Sequence, residues 1–143
     1  MNLGMGISSI IYNLAFSPNL SKLDISRCSI VNQNEINETV VSLQKLLKIN
    51  SSIEIFKANF IYNLNPNLNK DFWVALGECK TLRVLDLGFS GDLSNKKTEI
   101  GQAVAFNAKK KGSLSYLNME GSFNSNFNLN LLYTAMNISE YDE

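Results

Sequence analysis

Histidine is absent from this chain of 143 residues. Without it, Ser-His-Asp and Cys-His catalysis are excluded, and the usual zinc sites lose their nitrogen ligand. Cysteine is scarce. Cys28 and Cys79 are the whole complement, too few for a disulfide framework and in keeping with a reducing compartment. No phosphate-cradling loop is present: Gly88 and Gly91 lack the following Lys-Ser or Lys-Thr. Charge of either sign is in no surplus, with 13 basic and 13 acidic side chains. Nucleic-acid binding rests on neutralising phosphates with a basic surface, so no nucleic-acid partner is expected. No apolar run reaches the length that spans a bilayer, so no membrane partner is expected either. The segment Met1 to Phe16 has no basic flank and no small-residue cleavage site, and residue 2 is Asn2 rather than glycine. Neither a secretion signal nor a myristoyl anchor is therefore read here. These absences predict an intracellular protein, cytoplasmic or cytoskeletal, that is not an enzyme and holds no cofactor or metal.

What is present is a globular balance, 45% apolar and 18% charged. The length suits one domain. Asparagine is abundant, and its runs at 63–69 and 124–130 read as loops, because Asn favours turns and tolerates left-handed backbone.

Four segments share one pattern: apolar, two variable, apolar, one variable, apolar. They begin at Leu20, Ile53, Leu82 and Leu114, spaced by 33, 29 and 32 residues. Leu14, Leu47 and Leu76 each stand six residues ahead of the next segment, while Phe106 stands eight ahead of Leu114, which implies a two-residue insertion near Lys109 to Gly112. Between the segments lie helical signatures. Ile36, Val40, Leu43 and Leu47 step by four, three and four along one face. Asn34 is the expected cap of that helix. Further helices are expected near 70–76, with Phe72, Trp73 and Leu76 as bulk, and near 98–109, with Ile100, Ala103, Val104 and Phe106 inward. A partial helix is expected near 7–14. Each unit is thus a short strand, a loop and a helix. One unit alone cannot cover its apolar face, so units must stack, with strands as a parallel sheet and helices as a second layer.

At this point the sequence resembles the leucine-rich-repeat family. Leu20, Leu23, Ile25, Cys28 and Ile30 fit the family's longer pattern, with Cys28 at its Asn-or-Cys position. The period resembles that of the ribonuclease-inhibitor type. The resemblance implies an α/β solenoid with a short parallel sheet on the concave side and helices on the convex side. It covers residues 7–123. The expected organisation is a repeat array at 1–125 and a capping helix or tail at 126–143, with Leu129, Leu132 and Met136 inward. The copies depart from the pattern at Ala58, where a large apolar residue is usual, at Ser90 in the Asn-or-Cys position, and after Met119, where the unit decays.

The candidate site is the concave face. In each strand the residues flanking the central apolar position point away from the core. One column is Asp24, Lys57, Asp86 and Asn118. The other is Lys22, Ile55, Val84 and Tyr116, apolar across three adjacent units. A contiguous apolar strip on a wet face usually marks a contact site, although β-branched and aromatic residues also suit strands for their own sake.

Other features have plainer readings. Cys28 reads as a small buried residue closing a turn rather than a reactive thiol. Cys79 lies at the far end of its unit, so no bridge to Cys28 is expected. Lys109, Lys110 and Lys111 read as cations opposing a helix dipole. Asp86 and Asp92 form a weak candidate carboxylate pair. The unit at the N-terminal edge has a helix but no strand before it, so that edge is expected to be covered by a partner, by another copy, or by residues missing from this chain. Together these readings predict a non-catalytic protein-binding or scaffold module within a larger assembly, cytoskeletal or axonemal for example. The alternative is a regulator of an enzyme, of the GTPase-activating or inhibitor type.

Overall fold

The protein is described from a computed structural model, which covers residues 6–30 and 32–123. The expected capping helix at 126–143 lies outside the described residues.

Four units follow one another: α1 (Gly6–Leu14) and β1 (Lys22–Asp24), α2 (Gln33–Ile49) and β2 (Ile55–Lys57), α3 (Lys70–Glu78) and β3 (Val84–Asp86), α4 (Lys97–Lys109) and β4 (Tyr116–Asn118). Short 3-10 turns at Asn65–Asn67 and Ser94–Lys96 precede α3 and α4. The strands form one parallel sheet in the order β1-β2-β3-β4. Each crossover is a helix, which parallel pairing requires, because the chain must return to the same sheet end. Each helix packs on the next, α1 on α2, α2 on α3 and α3 on α4.

The repeat pattern is the cause of this layering. The central strand residues Leu23, Phe56 and Leu85 are buried, as are Ile53, Leu82, Ile25, Ala58 and Leu87 around them. On the helical side, Ile36, Val40, Leu43 and Leu47 are buried along one face of α2. Phe72, Trp73, Ala75 and Leu76 of α3 are buried in the same core cluster as Phe56 and Leu85. Burying a side chain of this size contributes roughly 1.5–3 kcal/mol, and the three-residue strands are too short to hold without it.

Capping explains where the helices begin. Asn32, not Asn34, caps α2: its side chain accepts from the Glu35 amide at 2.9 Å. Asn69 does the same for α3, accepting from Phe72 at 3.0 Å. Both caps have the extended backbone that a capping side chain needs. Asn34 already sits within the first turn, where its side chain cannot reach back.

Two asparagines tie consecutive units together. Asn50, at the end of α2, donates through Nδ2 to the carbonyls of Leu14, Ala15 and Ser17, and its Oδ1 accepts from Ser52 and Ile53. Asn107 in α4 donates to Leu76, Gly77 and Cys79 and accepts from Leu114. Each thereby satisfies the orphan carbonyls at the end of the preceding helix. This equivalence resets the alignment of the last unit. Asn50 stands three residues ahead of Ile53, and Asn107 stands seven ahead of Leu114, so the insertion is four residues, not two. Val104 is then the counterpart of Leu47 and Leu76. It is buried, whereas Phe106, expected to face inward, is 42% exposed.

The asparagine-rich stretch at 63–69 is not simply a solvated loop. Asn65 is fully buried, and its Nδ2 donates to the carbonyls of Leu87 and Gly91 and to Ser122 Oγ. Nor does the last unit decay at once: Leu93 donates to the Ser122 carbonyl at 2.6 Å, in keeping with the earlier units. Ser90 fills its position by bonding rather than bulk, donating to the Ala58 carbonyl and accepting from the Ile61 amide.

Candidate functional site

Among the described residues, one face of the sheet is covered by helices and the other is open. Register places Lys22, Ile55, Val84 and Tyr116 side by side, and Asp24, Lys57, Asp86 and Asn118 side by side. Both columns expected from the sequence are therefore brought together. Lys22, Asp24 and Tyr116 are exposed, while Ile55, Lys57, Val84 and Asn118 are half-buried. Neighbouring strands lie about 4.8 Å apart, so the side chains of one column touch.

Asp86 is the exception to the expectation of a free surface residue. It is 9% exposed. Its carboxylate accepts from Asn59 Nδ2 at 3.0 Å, from Asn118 Nδ2 at 2.9 Å and from the Gly88 amide at 3.1 Å. A carboxylate so occupied is a fastener between units, because leaving it unpaired under neighbouring side chains would be costly. Asp92 has a local task of its own, accepting from the Ser94 amide and hydroxyl, so the two carboxylates do not act as a pair. The Ser94 hydroxyl and amide hold the Asp92 carboxyl below its ordinary pKa. Asp24 behaves alike: hydrogen bonds from Ser26 lower its pKa, with Lys22 and Lys57 adding to the effect.

A third column lies just past the strand ends and went unread in the sequence. Arg27, Phe60, Phe89 and Gly121 each stand three residues after a strand, and all four have positive φ, at 65°, 58°, 57° and 73°. The left-handed backbone keeps a ladder running between units. Arg27 donates to the Asn59 carbonyl, Phe60 to Gly88 and Phe89 to Glu120, at 2.8, 3.0 and 2.7 Å. The Phe60 and Phe89 rings stack at 5.0 Å with planes 10° apart, and the Arg27 guanidinium lies 4.4 Å from the Phe60 centroid. Phe60 and Phe89 remain 47% and 46% exposed. Any side chain at Gly121 would collide with the Phe89 ring, so glycine ends the ladder. The signal was there in the spacing: 27, 60, 89 and 121 repeat the strand intervals. It was masked because phenylalanine is an uncommon choice for left-handed backbone.

The remaining candidates take plain positions. Cys28 is partly buried and Cys79 buried, and both are free thiols. Burial raises the Cys28 pKa, with Asp24 adding to the effect, so its reactive thiolate is disfavoured. Lys109 ends α4, where a cation complements the helix dipole. Among the described residues no cluster of three metal-ligating side chains occurs, and no helix is long and apolar enough to cross a membrane.

No protein-family model and no curated protein matches the chain. The fold has a solved counterpart. It is similar to the C-terminal domain of tropomodulin from Caenorhabditis elegans. The likeness covers 94% of each chain with a TM-score of 0.60 and 13% sequence identity. The tropomodulin domain is leucine-rich-repeat-like in fold, and that likeness of architecture is what the two chains share. At this identity the tropomodulin domain speaks for the fold alone.

Proposed function

We propose that the chain is a leucine-rich-repeat solenoid of the ribonuclease-inhibitor type that holds a protein partner against the open, concave face of its sheet. It works without catalysis or cofactor, as a module within a larger assembly, of which a cytoskeletal one is the leading example. The observation that carries this reading is the in-register column of Ile55, Val84 and Tyr116, apolar side chains on a face that no helix among the described residues covers. Strand propensity accounts for β-branched residues at these positions. It favours tyrosine in a strand as well, but it gives no reason for Tyr116 to leave 54% of its surface in water in line with Val84 and Ile55. The likeness of fold to the tropomodulin domain supports the same architecture. The free edge of β1, which pairs with β2 alone among the described residues, offers a second contact surface.

The test replaces Ile55, Val84 and Tyr116 together by serine. The complex is isolated under native conditions, its partner is purified, and binding is measured by calorimetry alongside circular dichroism of the variant. The expected result is a variant with the original dichroism spectrum and a partner affinity weakened by about 2 kcal/mol or more, since hot-spot residues of this kind each contribute on that order. Undiminished affinity in a folded variant would remove the open face from consideration.

A further inference from the structure

The reading of the open face as a protein-binding surface leaves the partner's chemistry open, and the inference here rests on that reading. The half of the face built by β1 and β2 is cationic. Lys22, Lys57 and Arg27 gather there against Asp24, which is engaged by Ser26, and against Asp86 beside Lys57, whose carboxylate is taken up by Asn59, Asn118 and the Gly88 amide. The other close charges, Arg83 and Glu54, pair with each other at 3.1 Å. Arg27 is exposed, and its guanidinium carbon lies 4.4 Å from the Phe60 ring centroid. The N–H groups of a guanidinium lie in its plane, and those of Arg27 meet no acceptor among the described residues. A guanidinium in this setting matches a planar, two-oxygen anion. Beside it, the edges of Phe60 and Phe89 offer a rigid apolar surface on a turn whose backbone favours smaller residues. Left-handed φ at two phenylalanines is strained, and half-exposed rings return little of that strain through burial.

We propose that this corner of the sheet docks a peptide segment carrying an acidic side chain next to an aromatic or proline residue. The carboxylate seats on the Arg27 fork, with Lys22 and Lys57 adding longer-range attraction, and the ring rests on the Phe60–Phe89 stack. The same elements, stacked rings and a few cations, occur in single-strand nucleic-acid sites. A protein segment is favoured because three cations on a chain of zero net charge cannot follow a phosphate backbone.

The experiment screens the full chain against displayed random twelve-residue peptides, in parallel with Arg27→Glu and with the double variant Phe60→Asn, Phe89→Asn. Asparagine tolerates left-handed backbone, so the double variant keeps its turns while losing the rings. Its dichroism spectrum and unfolding midpoint are checked to match the parent. Support is enrichment of peptides with Asp or Glu within three positions of an aromatic or proline residue. Their affinity falls about tenfold or more in Arg27→Glu, in proportion to a lost charge-assisted hydrogen bond, and falls again in the double variant. Enriched peptides without acidic residues, or peptides indifferent to Arg27→Glu, overturn the proposal. If such peptides still depend on Ile55, Val84 and Tyr116, the wider reading of the open face stands while this one falls. Failure of any peptide to enrich overturns it as well, and so does Phe60-dependent binding of a labelled oligothymidylate.

Discussion

A buried asparagine is an expensive residue unless every polar atom is used, and Asn50 and Asn107 use theirs fully. Each side chain ties three carbonyls of the preceding unit to amides at the start of the next strand. Replacing Asn50 by alanine leaves these groups facing each other without a bridge, in a place that is 6% exposed. Loss of a buried partner costs about 1–3 kcal/mol per orphaned group, and relaxation recovers part of it. Asn50→Ala is therefore expected to lose about 2–3 kcal/mol in urea unfolding. Asn13→Ala, at an exposed helical position, is the control and should stay within about 0.5 kcal/mol of the parent. Equal effects at the two positions would show that the bridge does not hold the units. By the same reasoning Cys79, at the corresponding place just after α3, is expected to make a weaker joint, since among the described residues its thiol reaches only the Thr81 hydroxyl, at 3.9 Å.

Helix α4 differs from α2 and α3 in having no side-chain cap, starting instead from a 3-10 turn. It also carries Gly101 in its interior. A Cβ at Gly101 would meet nothing within 4 Å, while one at Gly77 in α3 would meet the Ala103 carbonyl oxygen at 3.2 Å. Gly77 therefore sets the close approach of α3 and α4, and Gly101 contributes only chain entropy. Gly101→Ala is expected to stabilise the protein by about 0.5–1 kcal/mol, read as a higher urea midpoint at unchanged slope. A lowered midpoint would mean that α4 needs its freedom. Elements were the level at which the sequence was most legible. The strands announced themselves because alternate burial demands the Leu-x-x-Leu-x-Leu spacing, and α2 because Ile36, Val40, Leu43 and Leu47 must share one face. The four-residue insertion was not legible, since Phe106 imitates a core residue and Asn107 imitates a loop residue. The burial of Asp86 depends on Asn59, just past β2, and Asn118 in β4, partners 27 and 32 residues away. The Arg27–Phe60–Phe89 ladder was legible only in its period.

At the scale of the molecule, stability is carried from unit to unit, because each unit contacts its neighbours and little else. Phe56 sits where this matters most. It is 1% exposed, in a strand paired on both sides. Phe56→Ala is expected to cost about 3–5 kcal/mol. The cost should also be uneven along the stack. The amides of Ile25 and Arg27 donate to Lys57 and Asn59, across the β1–β2 boundary that Phe56 supports, whereas Leu87 and Phe89 donate to Asn118 and Glu120 across the β3–β4 boundary, two further on. Hydrogen exchange in the variant should therefore lose more protection at Ile25 and Arg27 than at Leu87 and Phe89, because the first unit can open while the later ones remain paired. In the parent, amides along the β2–β3 boundary should exchange slowest, since both strands have neighbours on either side. A variant in which all four amides lose protection equally would describe a single cooperative block. In that case stacking would not be divisible into neighbour contacts, and the free edge of β1 would be no easier to open, or to offer to a partner, than the centre of the sheet.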